Sequence, residues 1–475
     1  MSSESVLRKS SRPPLDLAAL VQEYAGKNYE LHAEHINPAN VRTLRTIGFD
    51  RCYTRATGAY LWDVKGVKYL DLLSGYGVFG LGRNHPEIRR ILKEFLDIEY
   101  PSLVKMEAPL LSGLLAAELK KRMPNDLDMV FFTNSGAEGV ETAIKYAKCA
   151  TGKPAIIHCK KSFHGLSTGA LSVNGDDSFR EGFAPFLPDC RAIPFNDLAA
   201  LEKALQSKDT AAFVVEPVQG KTCSVVADGY LAEAGRLCRK AGALLVADEV
   251  QCGLGRTGKW FAYQHWAGVE PDMVCVAKAL SGGYVPVGAV IARPRVMDSV
   301  FDSMEHCVIH SNTFGQNDLA MAAALATLQV MEEDDLPANA ARLGARTISR
   351  LADLGRTCPF VYEVRGKGLM FGIDFRRPEG SLKLKAAWDA LHLLNEGVFS
   401  QTVILPLLHE HRILAQVAGY HTELIKFLPP INIGEESLDG FLSAMREVLE
   451  DLKRVPGSAW ETVRMLAKGA AAQLR

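Results

Sequence analysis

Five short motifs, met in a fixed order along the chain, carry residue types that could hold an anion, cover a flat ring and move protons around it. Two of them contain the reactive groups. Ala247-Asp248-Glu249-Val250-Gln251 puts a carboxylate at the end of an apolar run, and thirty residues later Val274-Cys275-Val276-Ala277-Lys278 puts a lysine directly after another. Burial disfavours an ammonium ion, so a lysine so placed offers a free amine that can condense with an aldehyde. A carboxylate paired with a pyridine nitrogen keeps that nitrogen protonated, and the resulting cation can accept electrons released when a C–H bond breaks. Gln251, three residues beyond Asp248, could hydrogen-bond a phenolic oxygen on such a ring.

The other three motifs complete a cradle for a phosphorylated pyridine aldehyde. Thr133-Asn134-Ser135-Gly136-Ala137-Glu138 opens a helix-like run, where small residues and free N–H groups suit a phosphate. Phe163-His164-Gly165 offers an aromatic face for stacking, and Ser311-Asn312-Thr313-Phe314-Gly315 a hydroxyl on a tight turn. Each motif also has a purely structural reading: Ser135 as a helix N-cap, Phe163 as core, Asp248 and Glu249 as turn caps, Lys278 as an edge lysine reaching solvent. Their joint occurrence favours the cradle.

These residues need a scaffold. Between Met129 and Ala292 short apolar runs alternate with helix-like segments, the pattern of a mainly parallel sheet covered on both faces. The expected strands are Met129 to Thr133, Ala155 to Cys159, Ala212 to Glu216, Ala243 to Asp248, Met273 to Ala277 and Val287 to Ile291. Ligands gather at the carboxyl ends of such strands, where Glu216, Asp248 and Lys278 stand. The fold class is therefore α/β, with a large domain over 51–342 and a smaller α+β domain built from both chain ends, 1–50 and 343–475. The segment 388–428 reads as a long apolar connection, and the residues after Pro456 as a helical appendage. Gly253-Leu254-Gly255-Arg256-Thr257-Gly258 matches a dinucleotide fingerprint, but Glu249 to Cys252 separate it from the strand and a loop follows.

Composition narrows the partners. The 475 residues carry a net charge of −1, which gives nucleic acid no electrostatic footprint, and no apolar run approaches the length of a membrane span. The ten cysteines form no CxxC pair or metal-like cluster, so reduced thiols and a cytoplasmic setting are expected, with no metal site. Cys252 and Cys275 flank the site as packing residues.

At these motifs the sequence resembles the class III aminotransferases dependent on pyridoxal 5′-phosphate (PLP), a group that includes ornithine, acetylornithine, putrescine and many ω-amine transaminases. The resemblance extends from Tyr60-Leu61-Trp62-Asp63 and Leu73-Ser74-Gly75-Tyr76-Gly77 through Asn84-His85-Pro86, Glu216-Pro217-Val218-Gln219-Gly220 and Val364-Arg365-Gly366 to Leu428-Pro429-Pro430. It implies PLP fold type I and a homodimer with shared active sites acting on small-molecule amines and carbonyl compounds. It also implies that Gly136 and Ala137 hold the phosphate, Phe163 covers the ring, Asp248 pairs with the ring nitrogen and Gln251 touches the phenolic oxygen. Lys278 would bond the cofactor aldehyde, and Thr313 would reach phosphate from the neighbouring subunit. Ser135, His164 and Glu216 join the same cofactor-binding set.

Three positions depart from the ornithine and acetylornithine branches, where arginine, glutamate and arginine are found: Leu166, Lys221 and Lys426 stand there instead. Lysine lacks arginine's planar fork, so a grip on an α-carboxylate is not reproduced. The expected donor is therefore a primary amine without an α-carboxylate, with a sizeable aliphatic part, and Lys426 or Lys221 is left for a keto-acid acceptor. Tyr76, Leu166, Lys221 and Lys426 are the candidate substrate contacts. The alternatives are an ornithine-like amino-acid ω-aminotransferase in which Arg365 or Arg256 takes over, a PLP decarboxylase, racemase or aminomutase, and a non-catalytic relative.

Overall fold

In the computed structural model, residues 14–124, 126–393, 397–419, 422–454, 457 and 460 are described. The central sheet has seven strands, in the spatial order Met129–Thr133, Gly288–Ala292, Met273–Val276, Leu244–Asp248, Thr210–Val215, Ala155–Cys159 and Cys190–Ile193. Gly288–Ala292 runs antiparallel to both neighbours, and the remaining strands share one direction. The inner strands are buried along their whole length and rich in Val, Ile, Leu and Ala, as a sheet covered on both faces requires. Six strands thus end at one edge, and that edge carries Asn134, Glu216, Asp248 and Lys278. This is the α/β architecture of PLP fold type I.

The six expected strands lie within two residues of their anticipated limits. The seventh, Cys190–Ile193, sits at the sheet edge with a mostly half-exposed pattern, so no continuous apolar run marks it. Helix Gly136–Thr151 follows Met129–Thr133, capped by Ser135, whose Oγ accepts from the Glu138 N–H at 3.2 Å. Residues 253–258 form turns rather than a helix, so the dinucleotide geometry is absent.

Two four-stranded sheets flank this core. One joins Tyr53–Thr57, Tyr60–Asp63 and Lys68–Asp71 to Ile413–Leu414, and so ties the first hundred residues to the last hundred. The other orders Val361–Lys367, Met370–Phe375, Leu424–Phe427 and Gln416–Val417, with Lys426 in its third strand. Helix Leu336–Arg356 packs on this sheet, running across residue 343. The apolar segment expected to be a connection is in fact helix Gln401–His409, buried from Thr402 to Leu408 with Pro406 inside it. The anticipated appendage after Pro456 lies almost entirely outside the described residues. No described helix is long and apolar enough to cross a membrane.

Candidate active site

Asp248 ends its strand with its side chain buried at 3% exposure. One carboxylate oxygen, Oδ1, accepts the Val250 N–H at 3.0 Å, and Oδ2 lies 2.6 Å from His164 Nδ1. His164 is itself immobilised: its N–H donates to Asn174 Oδ1 at 2.6 Å, and Asn174 Nδ2 donates to Gly165 O at 2.9 Å. Desolvation lowers the imidazole pKa, but the hydrogen bond and charge of Asp248 outweigh it, so the net shift is upward. Asn174 carried no signal in the sequence, since it lies in no motif and acts only through this contact.

Glu216 lies fully buried beside that pair, its Oε2 accepting from the Phe163 N–H at 3.1 Å and its Oε1 from the Gly220 N–H at 2.7 Å. Burial pushes its pKa up to about 7, with the Asp248 charge adding to the rise and His164 opposing it. It therefore locks the segment bearing Phe163, whose half-buried ring stands edge-on to Phe179 at 5.3 Å between centroids.

Lys278 begins the turn after Met273–Val276 with φ of +47°, a left-handed conformation that a non-glycine residue holds at some cost. It is partly exposed, and its Nζ has no hydrogen-bonding or ion-pair partner among the described residues. Desolvation, helped by the nearby positive charge of Lys426 and only partly opposed by Asp248 and Glu216, lowers its pKa to about 8.

The glycines that start helix Gly136–Thr151 and follow His164 are required by close packing. A Cβ on Gly136 would come within 2.6 Å of Val250 Cγ1, and one on Gly165 within 2.7 Å of Ala137 Cβ. The N–H groups of Gly136 and Ala137 fall in the first helical turn, where no carbonyl of the helix reaches them. Free N–H groups of a helix start suit a dianion, Phe163 supplies an aromatic face, and Asp248 and the unpaired Lys278 amine are the two groups a pyridine aldehyde needs. The residues present match PLP.

The remaining anticipated residues divide. Gln251 donates from Nε2 to Tyr76 O at 3.0 Å, and its Oε1 accepts from Lys426 Nζ at 3.3 Å. Lys426 is buried and donates also to Gly220 O at 2.5 Å, joining the second flanking sheet to the loop after strand Thr210–Val215. Lys221 pairs with Asp176 and lies 5.4 Å from the Phe179 ring. Tyr76 is half exposed, with its hydroxyl accepting from Gln416 Nε2 at 2.9 Å, and Leu166 is 57% exposed. Thr313 is exposed on its loop, where its carbonyl accepts from Lys105, and no described hydrogen bond joins it to the residues above. Cys252 and Cys275 are buried, as packing residues would be.

Comparison with known proteins agrees with this geometry. Residues 45–449 match the family model for class-III aminotransferases. The chain is 35% identical over 450 residues to aminotransferase PigE of a Serratia species, an alignment that covers 88% of this chain but only 53% of PigE. Putrescine aminotransferase of Pectobacterium atrosepticum is also 35% identical, over 92% of this chain and 91% of its own length. A crystal structure of ornithine aminotransferase from Toxoplasma gondii, described with partial occupancy of PLP at its active site, superposes with a TM-score of 0.74. It is 29% identical and covers 85% of this chain and 92% of that one.

Proposed function

Because the chain belongs to the class-III aminotransferases and is a PLP-dependent transaminase, we propose that it takes the amino group of an aliphatic primary amine lacking an α-carboxylate and passes it to a keto acid. The observation that carries this reading is the state of the three departing positions. Leu166 presents an exposed apolar side chain, while the ammonium of Lys426 is committed to Gly220 O and Gln251 Oε1 and that of Lys221 to Asp176. None offers an α-carboxylate the two-pronged grip of a guanidinium. The likeness to putrescine aminotransferase supports a donor of this kind. A panel of aliphatic mono- and diamines run against ornithine and acetylornithine tests it, and a higher kcat/KM for the amino acids would overturn it.

When bound, PLP supplies an aldehyde to carry the amino group and a pyridinium to take up the electrons released at carbon. Gly136, Ala137 and Ser135 would hold its phosphate, with Thr313 of a second copy beside them, and Phe163 would cover its ring. Asp248, oriented by His164, would hold positive charge at the ring nitrogen. Gln251 would reach the phenolic oxygen, and Glu216 ties the backbone at Phe163 to that at Gly220. Lys278 Nζ would take the proton from the substrate carbon and return it two atoms away, across the transferred nitrogen, so one residue serves as base and acid in turn. Donor and acceptor use the same site alternately, which gives ping-pong kinetics.

The pKa of Lys278 makes this testable by pH. At about 8, roughly one-tenth of the amine is uncharged at pH 7, against about one part in three thousand at the usual lysine value near 10.5. Below pH 8 most of Nζ is protonated, and only the uncharged fraction acts as nucleophile or base. The rate of PLP capture by the apoprotein should therefore rise with pH through about 8 and level off above it, and a limb that keeps rising toward 10.5 would contradict the assignment.

The assembly we propose is a homodimer. Met304, Val308, Ile309 and Phe314, in the segment that carries Thr313, and Met106, next to Lys105, are all exposed apolar residues that such an interface would cover. We also take 51–342 as the large domain, with 1–50 and 343–475 as the small one, and place the enzyme in the cytoplasm.

A further inference from the structure

The segment that carries Thr313 lies almost entirely on the surface. From Asp302 to Phe314 every residue is exposed except His310 and Asn312, and these two hold the segment in place. Asn312 ties it to the outer strand of the central sheet, its Nδ2 donating to Phe132 O at 2.9 Å and its Oδ1 accepting from the Gly315 N–H. His310 ties it to a different element, helix Gly136–Thr151. Lys145 Nζ lies 2.7 Å from His310 Nδ1, and Thr142 Oγ1 lies 3.1 Å from its Nε2. The imidazole also packs against the rings of Phe131 and Tyr146, with centroids 4.7 and 5.3 Å away.

These contacts fix the protonation of the ring. A lysine ammonium can only donate, so Nδ1 must accept and the ring hydrogen stands on Nε2. That hydrogen goes to Thr142 Oγ1, whose own hydrogen goes to Glu138 O at 2.8 Å. The imidazole is therefore neutral, and burial together with the Lys145 charge holds its pKa below the usual value. Helix Gly136–Thr151 is a firm anchor, since Val140, Ala143, Ile144, Tyr146 and Ala147 are all buried. Its first turn would meet the phosphate of its own chain, while its second and third turns clasp His310. Thr313, three residues further on, is exposed, and its carbonyl is held by Lys105 Nζ at 2.5 Å. The backbone is thus fixed on both sides of a threonine whose hydroxyl has no hydrogen bond among the described residues.

We propose that His310, clasped by Lys145 and Thr142, is a positioning residue for the cofactor of the second copy: it fixes the loop from which Thr313 reaches that copy's phosphate. This rests on the homodimer with shared sites given above, and adds to it a residue whose effect crosses the interface while the site of its own chain is left unchanged. Ordering the loop in advance spares the phosphate contact the entropy of immobilising it.

The test uses His310→Leu, His310→Gln and Lys145→Met in the full-length enzyme, with PLP affinity read from turnover against PLP concentration. His310→Leu and Lys145→Met should each weaken PLP binding at least about tenfold, the worth of one hydrogen bond to a charged group, while turnover at saturating PLP changes less than about threefold. His310→Gln, whose amide pairs an acceptor with a donor as the ring does, should stay near the parent. Lys145 is exposed, so its replacement guards against a variant that fails to fold. A mixed dimer then separates the two chains. His310→Leu is purified through two different tags together with Lys278→Ala, in which His310 is intact. The working lysine of that dimer lies on the His310→Leu chain and receives Thr313 from the other, so its site should bind PLP as tightly as the parent. A site still weakened in the mixed dimer would show that His310 serves its own chain, and parental affinity in the His310→Leu homodimer would show that it serves neither; each overturns the proposal. If the parent enzyme sediments as a monomer while holding PLP, the shared-site reading fails first and takes this proposal with it.

Discussion

Replacing Lys278 with alanine is expected to lower transamination by at least about a thousandfold, because one change removes both the nucleophile that retains the cofactor and the base that moves the proton. The size of the loss follows from the surroundings of Nζ. No other described group at the carboxyl edge of the sheet combines a depressed pKa with an amine free of partners; Lys426, also buried, is held by Gly220 O and Gln251 Oε1. The variant should still fold, since Lys278 makes no hydrogen bond that its loss would orphan and alanine relieves no packing. Its melting temperature without cofactor should match that of the parent apoprotein. The informative readouts are retention of PLP through gel filtration and the first turnover with a good amine donor. A variant that keeps more than a few per cent of parental turnover would show that another residue carries the chemistry.

The second large effect is expected at Asp248. Asparagine there preserves size but removes the charge proposed to pair with the ring nitrogen, and the loss of one preorganised electrostatic partner in a dry site is worth about 100- to 1000-fold in rate. The change also strips His164 of the partner that raises its pKa. Removing one member of a buried pair costs about 3–5 kcal/mol, so a lower melting temperature should accompany the kinetic loss. The two consequences separate cleanly: the rate per folded, PLP-loaded site falls at a temperature where the protein is fully folded. A normal rate per loaded site in Asp248→Asn would remove the proposed role, however unstable the protein became.

The reactive ends of the strands were legible in the chain because each inner strand is a short apolar run that stops at one polar residue, as at Asp248 and just before Lys278. Buried on both faces, such strands need no alternation and leave a plain mark. What was not legible lacked that mark. Cys190–Ile193 is a half-exposed edge strand. Helix Gln401–His409 is apolar on every side and holds Pro406, so it shows neither a 3.6-residue period nor an unbroken helical composition. The antiparallel direction of Gly288–Ala292 depends on how the chain returns to the sheet, which its residues do not record. In the site, residues of four motifs came together while Thr313 stayed apart on its loop, and the bracing did not show in advance. Asn174 reaches His164 from outside any motif, and the clasp of Lys145 and Thr142 on His310 exists only in three dimensions.

Everything proposed here depends on one covalent address for the cofactor. The measurement that examines it most directly is borohydride reduction of the PLP-loaded enzyme, followed by proteolysis and mass spectrometry of the pyridoxyl-bearing peptide. The expected result is a single modified peptide with the added mass on Lys278, lost when the enzyme is first treated with an amine donor that empties the lysine. Modification at Lys221, Lys426 or a surface lysine, with Lys278 recovered unmodified, would contradict the account.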